Sequence, residues 1–113
     1  MRKMICIGKS LWDFSVSGEV IIFKDDEFPS VEECHGKIIV TNIPSPDIVM
    51  YMSECLAIVA ETGGLLCHAA VLALEMGCPI IVSADGVTNK LRHGQRVLVS
   101  CDNHEGYIYE EVL

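Results

Sequence analysis

His68 stands four residues after the double glycine Gly63-Gly64, in the stretch Glu61-Thr62-Gly63-Gly64-Leu65-Leu66-Cys67-His68-Ala69-Ala70. Small and apolar residues continue from it to Glu75-Met76-Gly77-Cys78-Pro79. That pattern predicts a helix ending at Gly77, a residue suited to the left-handed C′ position, with Pro79 forbidding its continuation. His68 then falls in or beside the first turn, where backbone N–H groups lack intrahelical acceptors and the macrodipole puts partial positive charge. A helix start favours an anion over an imidazolium, which leaves the ring as a neutral nucleophile. A phosphoryl group attached to it would meet N–H donors from Gly63, Gly64 and the first turn. Backbone lacking a Cβ can approach a tetrahedral anion closely, which is what the glycines offer. The chemistry this spacing suits is covalent phosphoryl carriage on histidine.

The elements that must position this stretch can be read on either side of it. Leu56 to Ala60 reads as a central strand that delivers the chain to Thr62-Gly63-Gly64, and Pro79 to Ser83 returns as another buried strand. A strand, a glycine loop and a helix in that order is the usual setting for phosphate binding in α/β proteins. Upstream, Met4 to Ile7, Val20 to Phe23 and Lys37 to Thr41 read as strands. Between the first two, Gly8 to Ser17 reads as irregular, with Trp12 and Phe14 packing over one end of the core. Lys24 to Pro29, with Asp25-Asp26-Glu27, reads as a solvated acidic loop. Glu32 to Gly36 reads as loop or a short turn. Ser45-Pro46-Asp47 is a helix start, with Ser45 as N-cap and proline at N1, and the helix runs to about Ser53 or Glu54. Downstream come a single helical turn at Thr88 to Leu91 and a strand at Arg96 to Ser100. A hairpin loop at Cys101 to Gly106 and a last strand at Tyr107 to Tyr109 complete the chain.

Composition narrows the function. The chain has 113 residues, one domain's worth, and 50 % of them are hydrophobic, which argues against disorder. No run reaches the roughly 18–20 apolar residues of a membrane span, and the basic start at Met1 is followed by too short an apolar run for a signal peptide. A cytoplasmic protein without membrane attachment is expected. The formal net charge of −8 speaks against nucleic acid. It also repels nucleotides and phosphoenolpyruvate (PEP) at long range, so phosphate binding must use local donors or a partner's cations. The six cysteines contain no CxxC and read as free thiols, several of them buried as small hydrophobes. Their spacings with the histidines fit no structural zinc pattern, so no metal is expected.

The ordered set Thr62-Gly63-Gly64-x-x-Cys67-His68-Ala69-Ala70, Glu75-Met76-Gly77-x-Pro79 and Ile80-Ile81-Val82 resembles the phosphohistidine "swivelling" domain of PEP-utilising enzymes. That family includes pyruvate–phosphate dikinase, pyruvate–water dikinase and rifampicin phosphotransferase. The resemblance extends from about Gly18 to Tyr109 and takes in Thr41-x-x-Pro44 to Asp47 and Gly94-Gln95. Cys67 before the histidine is more like the pyruvate–water dikinase branch than those with serine there. The resemblance implies a single α/β domain over 1–113 with a three-layer β/β/α fold and phosphorylation at Nε2 of His68. It also implies an ATP-grasp domain and a PEP/pyruvate-binding domain as partners. Mg²⁺ and ATP or PEP would be bound at those partners, with no cofactor held by this domain. Two departures stand out: Phe14-Ser15-Val16-Ser17-Gly18 replaces a Pro-Gly-x-Ala-x-Gly type turn, and Leu74 stands where members usually carry arginine.

Each site residue also has a plainer reading. Thr62 either bonds the phosphate or caps the turn, and Thr41 either matches the family position facing the histidine or is an ordinary strand residue. Cys67 either modulates the imidazole or fills space beside it. The expected function is a phosphoryl carrier in which His68 takes the group from ATP or PEP, with Thr62, Gly63, Gly64 and Thr41 around the phosphate. By itself the chain is not a complete enzyme. It reads as either a stand-alone carrier served in trans or a fragment of a larger enzyme, with Met1 at its start and no linker at either end favouring the first. The alternative is a non-catalytic interaction module that retains the fold, and an exposed apolar patch would allow a homodimer.

Overall fold

Ile38-Ile39-Val40 and Ile58-Val59 are continuous apolar runs because both of their faces are covered, the signature of strands inside a layered sheet. The computed structural model describes residues 3–23, 29–42 and 46–111. Its strands are β1 (Met4–Lys9), β2 (Phe14–Ile22), β3 (Lys37–Thr41), β4 (Ala57–Ala60), β5 (Ile80–Ile81), β6 (Arg96–Asp102) and β7 (Glu105–Glu110). They form one sheet in the order β1-β7-β6-β2-β3-β4-β5. Strands β2 to β5 run parallel, and β6, β7 and β1 continue the sheet antiparallel.

The two ends of that order meet. Lys9 and Val82 exchange both backbone hydrogen bonds at 2.8 Å, joining β1 to the end of β5 and curling the sheet round on itself. Alternate residues then point to two different cores. Val20, Ile38, Val40, Ala57, Val59 and Ile81 point inward, against Val97, Val99 and Ile108 from the other half of the sheet. Ile21, Phe23, Ile39, Ile58, Ile80 and Val82 point outward, where Ala69, Ala70 and Ala73 of helix α1 (His68–Met76) cover them beside Ile48, Tyr51 and Met52. Two sheet halves and a helical layer make the β/β/α arrangement. A short helix α2 (Val87–Lys90) adds Val87, followed by Leu91, to the inner core.

Closure depends on two glycines. Gly8 and Gly106 face each other across β1 and β7 and together leave a notch for the Ile81 side chain. A Cβ on Gly8 would lie 2.5 Å from Cγ2 of Ile81, and one on Gly106 would lie 2.6 Å from its Cδ1. Cys6, Cys34, Cys78 and Cys101 are buried as small core residues. Burial pushes the Cys34 thiol up to about 11.

The structure corrects several boundaries. The Gly8-to-Ser17 region is not irregular throughout: β1 runs on to Lys9, and β2 starts at Phe14, because Phe14 to Glu19 pairs residue for residue with Cys101 to Arg96 of β6. That ladder outweighs the poor strand propensity of Ser15, Ser17 and Gly18. The segment expected as an α-helix is a 3-10 helix, Pro46–Tyr51. Its buried Ile48 and Tyr51 lie three residues apart, the repeat that a 3-10 helix stacks on one side. The helical turn lies at Val87–Lys90, one residue earlier than expected. The strand after α1 is only Ile80–Ile81, since Val82 turns to β1 and Ser83 takes a left-handed φ of 57°. The expected 101–106 loop shrinks to a two-residue turn, Asn103 and His104, both at positive φ. Such a turn matches the twist of the strands it joins. The acidic residues Asp25-Asp26-Glu27 and the Ser45 cap lie outside the described residues. Among the described residues, no helix is long and apolar enough to cross a membrane.

Candidate functional site

Strand β4 ends at Ala60, and the chain crosses Glu61 to Cys67 before entering α1. Gly63 has a φ of 101°, a conformation that a side chain would resist, so glycine there is required by the turn itself. Gly64 does not have a positive φ, and a Cβ on it would meet nothing within 4 Å. The fold therefore has no need of glycine at 64, and the space over it is open. The Cys67 N–H donates to the Gly64 carbonyl at 3.0 Å, closing a turn that brings the chain into the helix.

His68 is the first residue of α1, with Cys67 as N-cap. The helix ends as expected at Gly77, with φ 70°, and the Cys78 N–H bonds the Ala73 carbonyl at 2.8 Å. Ala69, Ala70 and Ala73 face the core, which turns His68, Val71 and Glu75 to the outer side. The His68 imidazole is exposed and makes no hydrogen bond to any described residue. Among the described residues, the N–H groups of Gly63, Gly64, His68, Ala69 and Ala70 likewise donate to no acceptor. An exposed imidazole thus stands at the positive end of a helix, next to a glycine loop whose donors are unengaged.

The other candidates divide. Thr41 ends β3 opposite Ala60, is buried, and its carbonyl accepts the Glu61 N–H at 3.0 Å. Thr62 donates its hydroxyl to the Asn42 carbonyl at 2.9 Å, so its hydrogen is engaged in tying the loop to β3. The two threonines are thereby brought to the same end of neighbouring strands. Cys67 makes no side-chain cap and packs against the helix-side core.

Two anchors of this loop have no local sequence signal. The Ser83 hydroxyl donates to the Gly63 carbonyl at 2.5 Å from 20 residues away. The Glu61 carboxylate accepts the Thr88 N–H at 2.9 Å and also the Thr88 hydroxyl. Glu61 was legible as an acid beside the glycines, but its partner 27 residues later was not. Of the remaining histidines, His35 contacts Glu54 at 2.6 Å and His93 accepts from the Ile22 N–H at 3.4 Å. His104 Nδ1 lies 3.0 Å from the Ser10 carbonyl and donates to it. Among the described residues no group of three or more His, Cys, Asp or Glu side chains is placed to hold a metal ion.

Comparison with known proteins bears on this geometry. The family model described as "PEP-utilising enzyme, mobile domain" matches residues 33–104, from just before β3 through the β6–β7 turn. This chain belongs to that family. Phosphoenolpyruvate synthase of Neisseria meningitidis serogroup B is 37 % identical over 99 % of this mobile domain, which covers 14 % of that protein. Phosphoenolpyruvate synthase of Escherichia coli K12 is 34 % identical over 98 % of it, again 14 % of that protein. A probable phosphoenolpyruvate synthase of Archaeoglobus fulgidus is 40 % identical over 83 % of it. The chain thus spans about 14 % of the length of these two bacterial relatives, whose remaining length has no counterpart in the 113 residues.

Proposed function

We propose that this mobile domain is a phosphoryl carrier, with His68 as the residue that is transiently phosphorylated. The observation that carries the reading is the exposed His68 ring at the first position of α1, beside the unengaged N–H groups of Gly63, Gly64 and the first turn. One ring nitrogen attacks the phosphorus of PEP or of the γ-phosphate of ATP, the N–P bond forms, and the enolate of pyruvate or ADP departs. The phosphohistidine is then presented to a second site, where an acceptor takes the group and the unmodified ring is restored. The domain's contribution is position and local donors, because phosphoryl transfer needs little covalent chemistry from the protein.

The donor and acceptor sites belong to partners: an ATP-grasp domain and a PEP/pyruvate-binding domain, on the same or another polypeptide. The names of the relatives and the small share of their length that this domain covers support that division. Mg²⁺ and the nucleotide or PEP are assigned to those partners. Leu66, 85 % exposed in the loop, and the exposed Val71 and Leu74 on α1 leave apolar surface on the segment that carries His68 for such partners to cover. That same surface also favours a second reading, an interaction module without phosphotransfer. The test is incubation with PEP or ATP, Mg²⁺ and cell extract, followed by analysis for acid-labile, base-stable phosphate. Label on His68 supports the carrier; partner binding without label under either donor supports the module.

A further inference from the structure

The Sγ atoms of Cys55 and Cys78 lie 3.8 Å apart, in contact across 23 residues of sequence. Cys55 stands two residues before β4 begins, and Cys78 directly follows the Gly77 cap of α1. Everything between them is the unit that carries the candidate site: β4, the glycine loop, His68 and α1. Cys78 is buried and Cys55 half-buried, so the pair reaches solvent through Cys55. It lies at the end of α1 opposite His68, and the phosphotransfer chemistry uses neither thiol. Burial alone disfavours both thiolates, but contact lets one S–H donate to the other sulfur. That eases the first deprotonation and pushes the second up.

We propose that Cys55 and Cys78 are an oxidative modification site that closes to a reversible disulfide, stapling the start of β4 to the C-terminal end of α1. The oxidant class is a low-molecular-weight disulfide such as oxidised glutathione. The Cys55 sulfur, the less buried of the two, attacks one glutathione sulfur as its proton passes to the Cys78 thiolate beside it, expelling a glutathione thiolate and leaving a mixed disulfide. Cys78 then loses its proton and attacks the Cys55 sulfur, expelling the second glutathione thiolate as the protein S–S bond forms. Two protein thiols give up two protons and two electrons, and the glutathione disulfide takes them. Bond formation closes the sulfurs from 3.8 Å to about 2.05 Å. The staple restricts the unfolded chain and leaves the His68 end of the helix untouched.

The test equilibrates the full chain with reduced and oxidised glutathione, then combines intact mass with a non-reducing peptide map and thermal melting. The expected result is a loss of two hydrogens and a single crosslink joining the Cys55 and Cys78 peptides. With it the Tm rises by several degrees and falls back on adding dithiothreitol. Cys55→Ser and Cys78→Ser each abolish the crosslink, and their melts under reducing conditions verify that they fold. Glutathione retained on Cys55 without loss to Cys78 overturns the proposal. So does a crosslink to the neighbouring buried Cys34, or two free thiols throughout; the wild-type map alone decides among these.

Discussion

The Ser83 hydroxyl donates to the Gly63 carbonyl at 2.5 Å, tying the chain just beyond β5 to the loop that precedes His68. Ser83 makes this bond from a left-handed φ of 57°, so one residue carries both a favourable bond and backbone strain. Ser83→Ala loses the bond and keeps the strain, and stability falls by about 1 kcal/mol. Ser83→Gly loses the bond but relieves roughly 1–2 kcal/mol of left-handed strain and remains close to wild type. Chemical denaturation of wild type and the two variants checks the order; an alanine variant as stable as wild type would show that the bond contributes nothing, and one as stable as glycine that the strain contributes nothing.

Glu61 anchors the other side of the loop by accepting from both the N–H and the hydroxyl of Thr88. Hydrogen bonds to an ionised acceptor contribute about 1.5–3 kcal/mol. Glu61→Ala therefore destabilises by an amount in that range, and Glu61→Gln by less, because the amide oxygen keeps the acceptor without its charge. Hydrogen exchange at the Thr88 amide reads the same contact locally, and its protection is expected to fall in the alanine variant.

Gly106 and Gly8 admit Ile81 into the seam where the sheet closes. Gly106→Ala places a Cβ 2.6 Å from Ile81 Cδ1 in a packed interior and destabilises by about 1–3 kcal/mol. The double variant Gly106→Ala/Ile81→Ala, which vacates the notch, is expected to lose less than the sum of the two single changes. Additive losses would mean that the two residues do not meet as described.

How much of this was legible in the sequence depended on whether a feature is local. Ile38-Ile39-Val40 announced a strand, and Gly77 before Pro79 announced the end of α1, because local residue preferences point to those structures. The Gly63-Gly64 and His68 spacing likewise placed the histidine at a helix start. Phe14 to Ser17 was not legible as strand, since its stability comes from β6, more than 80 positions away in the register. The closure through Lys9 and Val82 and the Ser83 and Glu61 anchors are long-range contacts between residues that no spacing rule connects. Thr62 was legible as a loop residue, but only the structure shows its hydroxyl already donating to Asn42.

Gly64 separates architecture from chemistry, because the fold has no need of glycine there. Gly64→Ala is expected to leave the Tm unchanged or slightly raised, since alanine reduces the freedom of the unfolded chain by about 0.4–1 kcal/mol. On the carrier reading the same variant is phosphorylated more slowly, as a methyl group then stands in the open space over the loop. Thermal melting paired with a labelling time course checks both halves.

His68 is the proposed acceptor of the phosphoryl group. Wild type and His68→Ala are incubated with PEP or ATP, Mg²⁺ and extract, then compared by intact mass and site-resolved fragmentation under conditions that preserve phosphohistidine. Equal melts establish that the exposed substitution has not disturbed the fold. One acid-labile phosphate is expected on wild type, mapped to His68, and none on the variant. Phosphate on both proteins alike, or on neither under any donor while both bind the same partners, would contradict it.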